Sequence, residues 1–416
     1  MRLRIHRGTR EIGGTCVELE CEQKRILLDL GLPLSVPDLE GAKLPEVDGL
    51  ETGSPDLLAI VLSHGHRDHW GLVPKAHPGV PLVMGAATEA VMNAAAKFVP
   101  DGVALKASYH LVSGQPFVIG PFKIVPHLVD HSGFDAYALE VEAGGKRVFY
   151  SGDLRAHGRK GALFERFVEN PPRAIDVMLM EGSSLGRLAN DQRFPSEEDL
   201  EQQFLDRFNQ TSGIALVACS AQNIDRVVTV YRAAKRARRT LLIDAYAAEV
   251  LAATGYTTIP KAERGWSNIA VYIPQAQRIH LVRNSIATLV DKYRNFRLWP
   301  EQLKDRAAQT VMLFRGWMIR DLERADALAG ARVIWSQWDG YLAEGAGAAL
   351  KDECAVRGLP FESIHTSGHA SVPDLQRLAA AIAPRRLIPI HTFGREAFPS
   401  LFDNVVLVDD GDWIAV

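Results

Sequence analysis

Hydrophobic and polar positions change pattern twice along this chain of 416 residues. Up to about residue 190, short apolar runs bounded by glycine, proline and charged residues predict strands, for example at 57–62, 122–129 and 175–180. Between residues 2 and 32 apolar and polar positions alternate, which predicts a half-buried antiparallel sheet. Residues 1–190 are therefore expected to form a sheet-rich domain.

From residue 191 to 358 the pattern predicts strands that alternate with amphipathic helices. Ser196, followed by two glutamates, is a capping signal for a helix that runs to about residue 209. An apolar strand at 213–218 then leads into a helix at 224–238, and the same order of elements repeats. Such alternation predicts a parallel α/β unit inserted into the sheet domain.

Sheet-type runs return after residue 358. A helix is predicted at 372–383 and a strand at 386–390. The tail has apolar runs at 405–409 and 413–416 and is expected to close as a hairpin. Residues 359–416 are therefore predicted to complete the first domain.

Composition excludes some classes of protein. The hydrophobic share of 47% and the charged share of 23% are those of a soluble globular protein. The formal net charge of −3 gives no overall basic field, so an anionic substrate would need local positive charge or metal ions. The four cysteines have no paired spacing, and no run is suited to a membrane span or a signal peptide. We therefore expect a cytoplasmic protein with reduced thiols and no membrane partner.

The densest group of candidate metal ligands follows the strand at 57–62. Four such side chains lie within six positions: His64, His66, Asp68 and His69. In an extended segment His64 and His66 point to the same side, so both imidazoles can reach one cation. Nitrogen and carboxylate ligands in this mixture suit Zn²⁺, with Mn²⁺ as the alternative. The competing interpretation is a solvated polar loop after a strand.

Two further candidate ligands follow later strands. His131 comes directly after the apolar run at 122–129, and Asp153 follows a strand that ends in Gly-Asp. Each is a weak signal alone, because aspartate after glycine is more often a turn former. His127 is a rival to His131, but its place inside the apolar run predicts a packed core histidine.

The order of these segments resembles the metallo-β-lactamase superfamily of binuclear metal hydrolases. Three later positions resemble its β-CASP branch, which includes ribonuclease J and the pre-mRNA 3′-end cleavage endonuclease: Glu181 at a strand end, His369 in a Ser-Gly-His segment, and His391 after a strand. The resemblance covers essentially the whole chain. It implies an α/β fold, a metallo-β-lactamase αββα sandwich with an inserted β-CASP α/β domain. Glu181 is followed by Gly-Ser-Ser instead of the more usual Ser/Thr-Thr-Tyr, which departs from the family pattern.

The resemblance also implies a site with two Zn²⁺ ions, with Mn²⁺ as the alternative. Carried over position by position, the first ion would be held by His64, His66 and His131, the second by Asp68, His69 and His391, with Asp153 as the bridge. Asp68 would also orient the attacking water. His369, held by Glu181, would donate a proton to the leaving oxygen.

Phosphate contacts are predicted from weaker signals. Ser220 and Asn223 precede the helix at 224–238, where backbone N–H groups could receive a phosphate, although both residues are equally suited to plain helix capping. Ser367 and Gly368 are further candidates. The helix also carries a basic run, which is either a solvated face or an RNA-binding track: Arg226, Arg232, Lys235, Arg236, Arg238 and Arg239.

The implied activity is that of a metal-dependent ribonuclease that hydrolyses phosphodiester bonds, with single-stranded RNA as the partner. In β-CASP enzymes the position of His391 is typically His in those that act on RNA and Val in those that act on DNA. The alternatives are a DNA nuclease of the same fold, a hydrolase of small esters or lactones, and an inactive scaffold in an RNA-processing complex. The sequence leaves the oligomeric state open, with a homodimer as one option.

Overall fold

The computed structural model describes residues 1–36, 38–99 and 102–416. These residues form two compact units. The first comprises Met1–Asn93, Val103–Phe194 and Gly368–Val416, and the second comprises Ala94–Gly102 and Pro195–Ser367.

The strands, in chain order, fall into a first group in the first unit, a second group in the second unit, and a last pair that returns to the first. They are β1 (Arg2–Arg7), β2 (Cys16–Cys21), β3 (Lys24–Leu28), β4 (Leu57–Val61), β5 (Leu82–Gly85), β6 (Tyr109–Leu111), β7 (Phe117–Ile119), β8 (Phe122–Val129), β9 (Ala136–Ala143), β10 (Lys146–Tyr150) and β11 (Val177–Glu181); β12 (Ala215–Ala218), β13 (Thr240–Ile243), β14 (Ile269–Val271), β15 (Thr310–Leu313), β16 (Arg332–Trp335) and β17 (Phe361–Ser363); β18 (Arg386–Ile390) and β19 (Trp413–Ala415).

The helices are distributed over both units. They are α1 (Arg67–Trp70), α2 (Ala86–Ala96), α3 (Gly161–Glu169), α4 (Glu197–Gln210), α5 (Ile224–Arg236), α6 (Ala245–Ala253), α7 (Gln275–Arg283), α8 (Thr288–Lys292), α9 (Leu303–Arg306), α10 (Ile319–Arg324), α11 (Gly345–Val356), α12 (Val372–Ile382) and α13 (Phe398–Leu401). Short 3₁₀ turns lie at Val73–Lys75, Arg294–Phe296, Pro300–Gln302, Ala307–Gln309, Gly316–Met318, Asp339–Leu342 and Arg395–Ala397.

Two β-sheets form the centre of the first unit. One has the strand order β19-β1-β2-β3-β4-β5-β6 and the other the order β18-β11-β10-β9-β8-β7. A buried core joins them, with Leu19 and Ile26 from the first sheet and Leu139 and Val177 from the second. Helices α3, α12 and α13 cover the outer face of the second sheet, and Met92 of α2 packs in the core on the outer face of the first. The αββα layer order expected from the sequence is therefore present.

For residues 2–32 the predicted antiparallel pairing is confirmed, and the predicted half-buried character is wrong. Strands β1 to β3 are antiparallel, but β3 to β6 are parallel. Both faces of β3 are buried, because Leu28 faces the central core while Leu27 packs in the outer cluster with Leu50 and Leu72. The long segment after β3 supplies part of that cover, which the alternating pattern alone did not reveal.

The predicted closing hairpin in the tail is also wrong. Strand β19 pairs antiparallel with β1 in the first sheet. Val405 instead forms a parallel bridge with Leu387 of β18, in the second sheet. Val406 and Ile414 pack against the central core. The tail is therefore drawn to both sheets by burial of its apolar residues, and its two runs do not pair with each other.

The second unit is a parallel α/β unit. Its sheet has the order β14-β13-β15-β12-β16-β17, and every adjacent pair is parallel. The predicted capping signal at Ser196 is present as a capping box with Asp199, whose backbone N–H donates to the Ser196 side chain. Along the described part of the chain, no helix combines the length and apolar character needed to cross a membrane.

Candidate metal centre

Four of the candidate ligands lie where β4 ends. The chain leaves this buried strand at Leu62 and enters a short loop that carries His64 and His66. Helix α1 follows at once and carries Asp68 and His69. Nε2 of His64 lies 3.1 Å from Nδ1 of His66, so the two imidazoles point to the same place.

His131 and Asp153 reach this cluster from the second sheet. His131 follows β8, and its Nε2 lies 3.0 Å from Nδ1 of His66. Asp153 follows β10, and its Oδ2 lies 3.7 Å from Nε2 of His64 and 3.2 Å from Nε2 of His69. The carboxyl ends of β4, β8 and β10 therefore meet at one edge of the sandwich.

His391 completes a second group of side chains. It follows β18, and its Nε2 lies 3.6 Å from Oδ2 of Asp68 and 3.7 Å from Oδ2 of Asp153. Two groups that match the predicted ligands have ligand atoms within 4.8 Å of one another: His64, His66, His131 and Asp153 in the first set, and Asp68, His69 and His391 in the second. A third group at the same spacing joins Asp153, His369 and His391. Asp153 of the first set also lies close to the second set, because its Oδ2 is 3.2 Å from Nε2 of His69 and 3.7 Å from Nε2 of His391.

The arrangement of these atoms fits a divalent metal. The two short nitrogen–nitrogen distances in the first set, 3.0 and 3.1 Å, approach the roughly 3.3 Å expected between nitrogen ligands of a tetrahedral Zn²⁺. Nε2 of His391 and Oδ1 of Asp153 are buried and, among the described residues, have no hydrogen-bond partner. Because buried polar atoms are almost always paired, these two atoms indicate a place for a cation. The clusters can therefore hold divalent metal.

Burial and neighbouring charges set different protonation states within the cluster. Removal from water lowers the pKa of His64 and His131 well below the usual value, and neighbouring histidines lower it further. Burial alone would also lower the pKa of His69, but Asp153 and Asp29 outweigh burial and raise it well above the usual value. Since neutral imidazole is the form that binds metal, His64 and His131 are ready to do so, whereas His69 would first release a proton.

Asp29 contacts Nδ1 of His69, whereas Nε2 of His69 faces Asp153. The sequence analysis did not identify Asp29. Its Oδ2 lies 2.7 Å from Nδ1 of His69 and accepts hydrogen bonds from the hydroxyls of Ser63 and Tyr150. Its Oδ1 accepts from the backbone N–H of Ser63 at 2.6 Å. Asp29 is fully buried, with a left-handed φ of 60°. The available signal was a carboxylate inside the apolar run at 25–30, directly after the end of β3 at Leu28.

In two more candidate ligands, Nδ1 contacts another group of the protein. Nδ1 of His391 lies 2.8 Å from the hydroxyl of Thr15. Nδ1 of His131 donates to the carbonyl oxygen of Gly368 at 2.6 Å. Partners of this kind orient metal-binding imidazoles, because they hold one ring nitrogen and turn the other toward the site. Gly368, predicted as a phosphate contact, thus also positions His131 through its carbonyl.

His369 and Glu181 form a pair beside the two sets. Nδ1 of His369 lies 2.9 Å from Oε2 of Glu181 and 3.7 Å from Oδ2 of Asp153. Burial would lower the pKa of His369, but Glu181 and Asp153 outweigh it and raise the pKa. The other carboxylate oxygen of Glu181 accepts from the backbone N–H of Leu154 at 2.9 Å. Glu181 is therefore placed to orient His369 and to favour its cationic form.

The Gly-Ser-Ser segment after Glu181 supports the site from outside. The hydroxyl of Ser183 donates to the carbonyl oxygen of His391 at 3.2 Å, and that of Ser184 donates to the carbonyl oxygen of Ala370. A Cβ at Gly182 would lie 2.7 Å from the ring of Phe398, so a larger residue would not fit without a shift. The two serines of this segment, which departs from the family pattern, therefore hold the backbone at His391 and next to His369.

His127 lies in β8 outside these groups. Its Nε2 is 3.6 Å from Oε2 of Glu140, and its ring centroid lies 5.3 Å from that of Phe167 and 6.4 Å from that of Phe149. His127 belongs to none of the three-residue or larger groups of potential ligands among the described residues. The structure therefore places His127 outside the metal centre, as predicted, but its side chain is 22% exposed, so it is not a core residue.

The remaining phosphate candidates lie in the second unit. The side chain of Asn223 accepts from the backbone N–H of Arg226 at 3.0 Å and caps α5. The hydroxyl of Ser220 accepts from the backbone N–H of Gln222 at 3.2 Å. Ser367 is buried. Helix capping is thus present at Asn223 and a local turn bond at Ser220, and their contact with phosphate stays a prediction.

The basic run on α5 does not form a continuous RNA-binding track. Arg226 is fully buried. Arg239 is also buried, and its guanidinium donates to the carbonyl oxygen of Gly213 at 2.8 Å. Arg232 pairs with Glu201 at 2.9 Å. The hypothesis is therefore wrong for Arg226 and Arg239, whose guanidinium groups are used inside the unit.

Replacing Arg226 is expected to destabilise the protein. Its guanidinium lies 2.9 Å from the carboxylate of Glu197, and both side chains are fully buried. Arg226→Met removes the buried cation opposite Glu197, and loss of one partner of such a pair costs about 3–5 kcal/mol in free energy of unfolding. Urea denaturation measures this cost. Arg232→Met is the matched control, because the Arg232 side chain is 54% exposed and Glu201 keeps Arg236 as a second cation at 3.1 Å. Equal losses in both variants would contradict the expectation.

Comparisons with known proteins extend these observations. Residues 24–191 match the β-lactamase superfamily domain family. Ribonuclease J of Helicobacter pylori is 21% identical over 445 aligned positions, which cover 98% of this chain and 60% of that protein. Ribonuclease J of a Synechocystis strain is 25% identical, with 98% of this chain and 64% of that protein covered. The chain thus spans about three-fifths of the length of these relatives.

A solved structure of the same fold is that of a protein of unknown function from Enterococcus faecalis. It is 21% identical, has a TM-score of 0.76, and the match covers 100% of this chain and 99% of that one. At this identity the match shows the fold alone. Together with the motifs and the two-sheet architecture, these matches confirm the resemblance: the chain has the metallo-β-lactamase fold and is related to the β-CASP family that includes ribonuclease J.

Proposed function

We propose that this protein is a metal-dependent ribonuclease that hydrolyses phosphodiester bonds in single-stranded RNA. The observation that carries the proposal is the convergence of potential ligands from separate segments of the chain around Asp153. Similarity to proteins named ribonuclease J supports RNA as the substrate. The presence of His391, and not valine, at the last motif position agrees with RNA.

Two divalent ions, Zn²⁺ or Mn²⁺, would be held by the two sets of side chains. His64, His66 and His131 would hold one, Asp68, His69 and His391 the other, and Asp153 would bridge them. Bound metals of this kind supply hydroxide at neutral pH and neutralise charge that develops on a phosphodiester. The buried, prearranged imidazoles would make this site selective for nitrogen-preferring metals over Mg²⁺.

The chain's own residues would orient the attacking water and supply a proton. The side chain of Asp68 is 19% exposed, unlike the fully buried His391 that it faces at 3.6 Å, so it can accept a hydrogen bond from a water at the open side of the site. Glu181 holds Nδ1 of His369, so Nε2 would deliver a proton to the leaving ribose oxygen. The carboxylate of Glu181 would favour the imidazolium before each transfer.

His369→Gln is expected to lower kcat by about 10²–10⁴-fold, the usual contribution of a general acid. Metal content should be unchanged, because the three imidazoles of the first set and the second set remain intact. The measurement is steady-state cleavage of labelled RNA alongside metal analysis. His127→Gln, outside the site, is the control. A kcat for His369→Gln within a few-fold of the native value would exclude the proton-donor role.

The function itself is tested with labelled single-stranded RNA and DNA of the same sequence, each with 5′-phosphate and 5′-hydroxyl ends, in the presence of Zn²⁺ or Mn²⁺. We expect metal-dependent cleavage of RNA that is lost in His66→Ala. Preference for DNA would make the protein a DNA nuclease. Inertness of the native protein on both polymers, with both metals, would refute a nuclease function; absence of bound metal would then favour a scaffold.

A further inference from the structure

A large apolar side chain is exposed beside the candidate metal centre. Phe393 comes two residues after His391 and is 72% exposed. Single exposed apolar residues are common on protein surfaces and carry no meaning alone. The position of Phe393 is unusual because of the loop that presents it.

Hydrogen bonds hold this loop, residues 391–394, at His391, Thr392 and Gly394. The backbone N–H of His391 donates to the carbonyl oxygen of Gly8 at 2.7 Å, and φ of His391 is 51°, in the left-handed region. The buried hydroxyl of Thr392 donates to the carbonyl oxygen of Gly182 at 2.8 Å and accepts from the backbone N–H of Gly394 at 2.9 Å. A non-glycine residue in this region costs free energy that the surrounding contacts must offset. Phe393 is therefore exposed by a fixed backbone.

A second exposed apolar side chain flanks the same pair of candidate ligands. Leu34 is 62% exposed. A Cβ built on Gly13 would lie 2.8 Å from Cγ of Leu34 and 3.2 Å from Cβ of Asp68. The backbone N–H of Gly13 also points to Nδ1 of His391, at 3.4 Å. Exposed apolar side chains thus lie next to both Asp68 and His391, whereas the centre itself is lined by charged and polar groups.

We propose that Phe393 stacks on a nucleobase of the RNA next to the bond that is cut. The inference rests on the proposed function and assigns a substrate-binding contact. A nucleotide has an anionic phosphate and an aromatic base; the metal centre suits the first, and an exposed ring on a rigid loop suits the second. Stacking on an aromatic side chain accepts any base, because every base has a π-face.

The first test compares Phe393→Ala and Phe393→Trp by steady-state cleavage of single-stranded RNA. Phe393→Ala should raise KM roughly 5- to 100-fold with kcat nearly unchanged, the range found for loss of one base–aromatic stack. Phe393→Trp should keep KM close to the native value. Val118→Ala, which shortens a 69% exposed side chain on β7, is the matched control. Metal content and the urea midpoint should be unchanged in all variants.

The second test uses RNA substrates in which one nucleotide at a time, on either side of the cut, lacks its base. The native protein should show raised KM for one abasic position, and Phe393→Ala should no longer distinguish that substrate from intact RNA. Equal KM for native protein and Phe393→Ala, or equal sensitivity to the abasic position in both, would overturn the stacking role. So would sedimentation that shows loss of an oligomer in Phe393→Ala. If the native protein cuts no RNA, that result alone refutes the proposed function. The stacking role is judged only by the comparison between the native protein and Phe393→Ala.

Discussion

Asp153→Asn is expected to abolish metal-dependent cleavage and to prevent stable binding of a metal pair. Oδ2 of Asp153 lies 3.2 Å from Nε2 of His69 and 3.7 Å from Nε2 of both His64 and His391. No other carboxylate among the described residues belongs to both the first set and a group with His391. Loss of an outer partner of a metal ligand typically lowers metal affinity by about 10–100-fold. Loss of a carboxylate that faces both ions should cost more.

The substitution by asparagine tests the role of the negative charge on Asp153. Burial would raise the pKa of Asp153, but His391, His69 and His369 outweigh burial and lower it well below the usual value. The group is therefore ionised at neutral pH. Asparagine keeps the shape and removes the negative charge that would offset two divalent cations.

Metal titration and cleavage of labelled RNA measure the effect of Asp153→Asn. Asp56→Asn is the control, since Asp56 forms an exposed pair with Lys24 at 2.6 Å in the same unit. We expect native metal stoichiometry and activity in the control and neither in Asp153→Asn. Full activity in Asp153→Asn would remove the bridging role.

Asp29→Ala is expected to have the second largest effect, on both stability and metal affinity. The carboxylate accepts from the backbone N–H and hydroxyl of Ser63, at 2.6 and 2.7 Å, and contacts Nδ1 of His69 at 2.7 Å. The hydroxyl of Tyr150 also donates to it. Each buried donor left without an acceptor costs about 1–3 kcal/mol. Several donors lose theirs together, so we expect a loss of about 3–5 kcal/mol in the free energy of unfolding.

The metal affinity of Asp29→Ala should fall as well, by about 10–100-fold, because His69 loses the group that orients its ring. Urea denaturation of metal-free protein separates the stability effect from the effect on metal binding. Asp29→Asn is an informative partner variant, because it keeps the volume and accepts fewer hydrogen bonds. If Asp29→Ala matched the native protein in both measurements, the supporting role of Asp29 would be refuted.

Elements of strong local pattern were predictable from the sequence. The strand at Arg386–Ile390 has the predicted bounds, because it is a short apolar run between turn residues. The helices α7 and α8 and the strands β14 and β17 were not identified, since these pieces are short and lack clear periodicity. The tail was misassigned because its last strand pairs with β1 at the opposite end of the chain, whereas Val405 pairs with Leu387 of β18.

The candidate ligands were predictable because they sit at strand ends, where a polar side chain after a buried run stands out. The side chains that contact these ligands and orient them were not predictable. Asp29 meets His69 across 40 positions, and Ser183 meets His391 across 208. The first contact joins segments that follow the neighbouring strands β3 and β4, and the second joins segments that follow the neighbouring strands β11 and β18. Such contacts depend on the order of strands in each sheet, and a lone serine or aspartate near a turn has no pattern that sets it apart. The roles of the ligands themselves stay predictions until metal is bound.

The most direct test of a two-metal centre is anomalous diffraction from crystals grown with Zn²⁺, measured on both sides of the zinc absorption edge. We expect two peaks in the first unit, both next to Asp153, one beside His64, His66 and His131 and the other beside Asp68, His69 and His391. Peaks elsewhere in the protein, or no peak near Asp153, would contradict the proposed metal centre.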